Sequence, residues 1–171
     1  MNQTSAMRGN THFLTTAAII AALYLALMVP FQPISFGPIQ FRISEMLCVL
    51  PFFTLAGIPG VTIGCLLGNF ILGAPLPDVI FGTLATLIGA FGTYYIGCLP
   101  LKFARFLSLL PPIVSNALII PFVLKFAYGV PELVPFMMLT VGVGEILAVG
   151  VLGSILMSVL EKYRSILFRL A

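Results

Sequence analysis

Long uninterrupted apolar runs, broken by short stretches of proline, glycine and a few charged residues, dominate this chain. The runs show no strict alternation of apolar and polar positions, so they do not read as half-buried strands or as the strands of a membrane β-barrel. The first run, 13–29, ends at Pro30. The stretch that follows, FQPISFGPIQ at 31–40, is polar and broken by proline and glycine, and is not helical throughout. A second apolar stretch, 43–76, is too long for one crossing, which takes about 20 residues. The breaker AGIPG at 56–60 divides it into spans 43–56 and 59–73, and APLPD at 74–78 closes the pair. Further spans are expected at 79–99, 111–127 and 134–160, with an amphipathic connector at 100–110 that carries Lys102 and Arg105. The pattern predicts a single all-α integral membrane domain, a bundle of six transmembrane helices. Its second and third helices are short enough to be tilted, bent or partly re-entrant.

Composition removes the alternatives. The 171 residues are 60% hydrophobic and 8% charged, against about 25% charged in an ordinary soluble domain. Mean hydropathy is +1.17. A soluble globular protein, a disordered chain and a nucleic-acid binder working through a basic face are all excluded. The net charge of +3 is informative through its distribution. Basic residues favour the cytoplasmic side. Six spans with the N-terminus inside put Arg8, Lys102, Arg105, Lys162, Arg164 and Arg169 in the cytoplasm and leave Arg42 and Lys125 outside. Five spans would put the two basic termini on opposite faces. A multi-pass cell-membrane protein with both termini cytoplasmic is therefore expected. The first apolar run follows a polar stretch and reads as a retained span rather than a cleaved signal. Cys48, Cys65 and Cys98 lie in apolar segments without a CxxC pair, and read as packing residues rather than disulfides or metal ligands.

Small residues recur at helical spacing. Gly64 and Gly68, and Gly82, Gly89 and Gly92, suit close packing of helices within the bundle. The first span differs. Ala17, Ala18, Ala21, Ala22 and Ala26 cover much of its circumference, and that much small surface suits a second contact, with another protein.

An ionisable side chain inside a span costs about 2.5–3.5 kcal/mol on insertion scales and is a functional candidate by default. The candidates are Arg42, Glu45, Asp78 and Glu145, with the amides Asn69 and Asn116, and Gln40 and Tyr128 at the rim. With the N-terminus inside, they fall in the outer half of the bundle, and a polar cavity open to the outside is the simplest arrangement. Each also has a structural reading. Arg42 and Glu45, three apart, could pair with each other; Asp78 could cap its helix; Asn116 could bond a neighbouring helix. Glu145, in Val-Gly-Val-Gly-Glu-Ile, has no cation within one helical turn and flanking glycines that let a ligand approach. Catalysis is not expected. There is no GxxxxGK[ST] loop for ATP and no HExxH, and the only histidine, His12, sits at the edge of the first run, away from any triad. No metal or cofactor is called for. Carboxylates with amides suit the binding of a small polar heterocycle.

Four stretches carry a family resemblance: ISFGPIQFRISE from Ile34 to Glu45, Gly60 to Ala90 with PDVIFG at 77–82, LPPIVSN from Leu110 to Asn116, and VGVGEI from Val141 to Ile146. Together they resemble the QueT family, substrate-binding S components of energy-coupling factor (ECF) transporters associated with queuosine precursors. The resemblance runs from about Leu14 to Leu160. It implies a six-helix S-component fold and a substrate bound from outside, beneath the loop after the first helix. It also implies docking on a membrane T component through small residues of that helix, which match Ala17, Ala18, Ala21, Ala22 and Ala26. Two ATPase subunits would supply the energy, which fits the missing P-loop. The implied ligand is a 7-deazaguanine such as preQ1, preQ0 or queuine. A carboxylate such as Glu145 could take two N–H bonds from its guanine-type edge, and Asn116 could serve its carbonyl. A cationic aminomethyl group would want Asp78 or Glu45, and Phe36, Phe41 and Tyr128 could stack on the ring. Three readings stand beside this one: an S component for another vitamin, a stand-alone proton-coupled transporter with Glu145 as the proton site, and a membrane enzyme subunit.

Overall fold

The computed structural model describes residues 3–32 and 41–164, with side chains from residue 10 onward. Among these residues there are helices and no strands, in an all-α bundle. Helix α1 is Gln3–Met28; a 3-10 segment follows at Ile43–Phe52; then come α2, Gly57–Ile71, and α3, Leu76–Gly97. A one-turn helix α4, Ala104–Leu107, leads into α5, Leu110–Phe126. The last stretch is α6, Val134–Glu145, a π-helical segment at Ile146–Gly153, and α7, Ser154–Lys162.

Four stretches are long and apolar enough to cross a membrane: Asn10–Met28, Leu76–Gly97, Ala104–Phe126 and Val134–Lys162. This is a multi-pass membrane architecture, but with four such helices among the described residues where the sequence predicts six. The expected spans 43–56 and 59–73 correspond to the two short elements, Ile43–Phe52 and Gly57–Ile71. At about 2.0 Å per residue the 3-10 segment covers about 20 Å, against a hydrocarbon core of about 30 Å. It packs on α1, α2, α3, the π segment and α7. Ser44, Glu45, Leu47, Cys48, Val49, Leu50 and Pro51 are all buried. Its apolar character thus reflects burial mostly against protein. A run that faces lipid on every side looks the same in sequence, which is why it reads as a span.

Glycines set the approach of the helices. Ile20, Tyr24 and Met28 of α1 lie on Gly60, Gly64 and Gly68 of α2, so the two helices run parallel along matching four-residue strides. A methyl group on Gly60 would sit 2.7 Å from Ile20 Cβ, and one on Gly64 2.6 Å from Tyr24 Cβ. A methyl group on Gly89 of α3 would likewise sit 2.6 Å from Pro112 Cα of α5. The α1 alanines divide between two faces. Ala17 and Ala21 are buried, while Ala18, Ala22 and Ala26 are exposed. Only the second group remains as an outward row of small side chains.

Gly73 and Gly129 take left-handed backbone conformations, with φ of 72° and 66°, in the turns between α2 and α3 and between α5 and α6. Both turns lie at the end of the bundle where α1 stops and the 3-10 segment starts, here termed the Asp78 end. The opposite end carries α4 and the close of α7, and is termed the Arg105 end.

Candidate functional site

Four buried side chains of ionisable type, Arg42, Glu45, Asp78 and Glu145, gather with Asn69 and Asn116 inside the bundle. Each comes from a different position in the fold. Arg42 precedes the 3-10 segment, and Glu45 lies in its first turn. Asn69 ends the buried stripe of α2, and Asp78 is in the first turn of α3. Asn116 lies in the middle of α5, and Glu145 closes α6. At 1.5 Å per residue, Asn116 and Glu145 sit about 15 Å below the Asp78 end, near mid-depth.

The hydrogen bonds divide the cluster. Arg42 donates from one guanidinium nitrogen to both oxygens of Asp78, at 3.2 and 3.4 Å. Tyr128, just beyond α5, donates its hydroxyl to Asp78 Oδ2 at 2.7 Å. Burial, and then this bond to a carboxylate, push the Tyr128 pKa up, so the phenol keeps its proton and its donor role. Arg42 and Glu45 are therefore not simply a local pair, and Asp78 makes no side-chain cap at the start of its helix. Glu45 instead accepts from Tyr24 of α1 at one oxygen and from the Cys48 thiol at the other, the latter at 2.9 Å. Both carboxyl oxygens thus act as acceptors.

Asn69 Nδ2 reaches the Asp78 carbonyl at 3.5 Å and Cys65 Sγ at 3.6 Å, and Thr86 donates to the same sulfur at 3.3 Å. Gly82 lies against this group: a side chain there would begin 2.9 Å from Asp78 Oδ1 and 3.1 Å from Asn69 Nδ2.

Among the described residues six buried side-chain atoms have no hydrogen-bond partner, and three of them lie in the cluster: Asn69 Oδ1, Asn116 Nδ2 and Glu145 Oε2. Asn116 lies beside Glu145, and Glu45 and Arg42 are within its electrostatic reach. A buried polar atom left unpaired costs about 1–3 kcal/mol. Of the three, Asn116 Nδ2 and Glu145 Oε2 are a donor and an acceptor that lie next to each other, while Asn69 Oδ1 has no such neighbour.

Of the residues singled out in the sequence, Arg42, Glu45, Asn69, Asp78, Asn116, Tyr128 and Glu145 come together here. Phe36 and Gln40 lie outside the described residues. Lys125 is turned away, donating to the carbonyls of Pro131 and Glu132 at 3.1 and 3.2 Å. Tyr24, Cys48, Cys65 and Thr86 belong to the same polar network but were not expected. Tyr24 carried a signal: it falls on the Ile20, Tyr24, Met28 stride that matches the α2 glycines, which points its hydroxyl inward. A separate groove of about 500 Å³ between α3 and α5, lined by Pro77, Phe81, Phe122 and Phe126 among others, is apolar and holds none of these polar groups.

Residues 14–162 match the QueT transporter family. The chain belongs to that family. QueT proteins are transporters rather than enzymes. Among curated proteins, the chain is 49% identical over 83 residues to the queuosine precursor transporter QueT of Lactococcus lactis subsp. cremoris (strain MG1363). That match covers 47% of this chain and spans about half, 48%, of the relative's length. No solved structure matches. The family match covers all seven clustered residues described above and every element from the middle of α1 to the end of α7.

Proposed function

We propose that this chain is the substrate-binding S component of an ECF-type importer for a queuosine precursor, and that the buried polar cluster is where a 7-deazaguanine binds. What carries the reading is the trio of unpartnered atoms. Glu145 Oε2 is an acceptor and Asn116 Nδ2 a donor, side by side in an apolar bundle and able to satisfy each other until a ligand takes both. A guanine-type edge offers the complement: two adjacent N–H donors for the carboxylate, and a carbonyl acceptor next to them for the amide. Charge-assisted pairing of this kind is about twice as strong as neutral pairing. Asn69 Oδ1 is a second free acceptor toward the Asp78 end. The L. lactis relative, described as a queuosine precursor transporter, supports the same ligand class.

The exposed row Ala18, Ala22 and Ala26 would meet the T component, with two ATPase subunits beyond it. The termini and the Arg105 end would be cytoplasmic, and the Asp78 end would face outward, since that arrangement puts most basic residues inside.

Mass spectrometry of the ligand carried through purification, followed by calorimetric titration with 7-deazaguanines, tests the ligand. Failure of every 7-deazaguanine to bind would end this reading. Uptake measured with and without the ATPase subunits tests the mechanism. Uptake that persists without them and collapses with an uncoupler would identify a proton-coupled carrier instead.

A further inference from the structure

The two ends of the bundle differ in the charge they turn outward. Among the described residues, the Asp78 end shows Lys125 and Glu132, which balance. At the Arg105 end, Lys102, Arg105, Lys162 and Arg164 face a single acid, Glu161. Arg105 takes that acid at 3.0 Å, and no salt bridge among the described residues involves Lys102, Lys162 or Arg164, all three exposed. The α4–α7 clasp gathers them into one corner: Lys102 lies three residues before Arg105, and Lys162 follows Glu161 directly. The connector at this corner is apolar on its outward side. Phe103, Phe106, Leu107 and Leu110 recur at helical spacing and are exposed, Phe103 and Phe106 by 68% and 62%, while Ala104 and Ser108 turn inward. It is also fixed in place, because Thr93 donates to the Ser108 carbonyl at 2.8 Å and Arg105 to the Ser154 carbonyl at 3.2 Å. With 22 residues, α3 covers about 33 Å, already more than a hydrocarbon core of about 30 Å. The connector after it therefore begins at the membrane boundary. There, large apolar side chains reach acyl chains and long basic ones reach phosphates.

We propose that this corner is a binding site for an anionic phospholipid: Phe103 and Phe106 rest among its acyl chains, and Lys102 and Lys162 hold its phosphate and headgroup. The site is separate from the polar cluster and does not depend on what binds there. Arg105 has no part in it, being spent on Glu161, Ser154 and Ser158. A zwitterionic lipid would give the phenylalanines the same contact, so selectivity falls to the lysines. One lysine near an anionic membrane surface contributes about fivefold in affinity, and two about thirtyfold. An acidic protein on the water side would suit the lysines but would leave Phe103 and Phe106 without a role. A lipid uses both faces of the connector.

The test is native mass spectrometry of the full chain in mild detergent, offered an equimolar mixture of phosphatidylglycerol and phosphatidylcholine with identical acyl chains. The expected result is that bound phosphatidylglycerol exceeds bound phosphatidylcholine by at least about tenfold. Lys102→Gln combined with Lys162→Gln should remove most of that ratio, and Lys125→Gln, at the other end, should keep it. Excess glycerophosphoglycerol, the same headgroup without chains, should not displace the lipid. Equal retention of the two lipids by the wild type would overturn the proposal, whatever the variants do. So would an unchanged ratio in the double variant, which would leave the lysines to a protein partner. Loss of the ratio in Lys125→Gln as complete as in the double variant would mean attraction to net charge without a site. Displacement by glycerophosphoglycerol would mean that a phosphate alone is read and that Phe103 and Phe106 hold nothing.

Discussion

Arg42–Asp78 and Arg105–Glu161 are both arginine–carboxylate pairs, with N–O distances of 3.2 and 3.0 Å. The longer one is the more consequential. Arg42 and Asp78 keep 3% and 1% of their side-chain surface exposed; Arg105 and Glu161 keep 31% and 51%. Arg105 also binds the Ser154 carbonyl at 3.2 Å and the Ser158 hydroxyl, so it fastens α4 to α7 through several partners, each within reach of polar surroundings. Loss of one partner there is repaired by water. In the interior, nothing but the remaining members of the cluster can answer a lost charge. Distance alone therefore says little about how much a pair matters. What decides is what would replace the partner.

The same contrast recurs at two other places, and each can be pressed by matching an inward change with an outward one. The largest effect should come from Arg42→Met, which strands Asp78 in the bundle. Breaking a buried pair costs about 3–5 kcal/mol, and unfolding in detergent should show it. Arg42→Met combined with Asp78→Leu should recover much of the stability without recovering ligand binding. A double variant as unstable as the single would mean that the pair is needed for folding in its own right.

The α1 alanines come next. Ala21→Trp, directed at the α2 glycines, should lower stability by about 1–3 kcal/mol or more through overpacking. Ala22→Trp, on the exposed row, should leave stability and ligand binding intact while abolishing uptake in the assembled transporter. Normal uptake in Ala22→Trp would remove that row as the docking face.

Third, Glu145→Gln should weaken ligand binding by at least about tenfold, or about 1.4 kcal/mol, because its NH₂ would face ligand donors. Glu161→Gln should bind as the wild type does. Matching affinities in the two would mean that Glu145 only joins helices.

The smallest effect is expected from Arg105→Ala, at about 0–1 kcal/mol, and smaller still in high salt. A loss comparable with that of Arg42→Met would show that the α4–α7 clasp is shielded from solvent in the membrane.

The membrane class, four of the six expected spans and the seven polar residues that the fold gathers could be read in the sequence, because each depends on composition or on a rare residue type. Three carboxylates and one arginine in long apolar runs stand out whatever the fold. The division of labour among them could not be read there. Arg42 sits three residues from Glu45 but bonds Asp78, which is thirty-six positions away, because the 3-10 segment turns Glu45 toward Tyr24. Nor could the nature of that segment be read, since lipid and protein impose the same apolar requirement on a strand of chain they enclose. The two faces of α1 became legible only with its partner: Ala21 and Ala22 are adjacent and identical, and only the glycine stride of α2 tells them apart.

The 3-10 segment has a consequence for biosynthesis. Short, and carrying Glu45 and an internal Pro51, it is a poor candidate to settle in lipid by itself as it leaves the ribosome. Its acid is satisfied by Tyr24 from the helix made before it, and its far side is covered by α2 and α3, which are made after it. Synthesised second, it would be secured only when later segments arrive, so assembly order and sequence order part company. Cys48, buried within it, is a natural reporter. In a chain truncated after residue 56 and joined to the ribosome by a cysteine-free spacer long enough to clear the exit tunnel, it is the only thiol, and it should react with a water-soluble maleimide there but not in the finished protein. Protection already at residue 56 would mean that the segment needs nothing beyond α1.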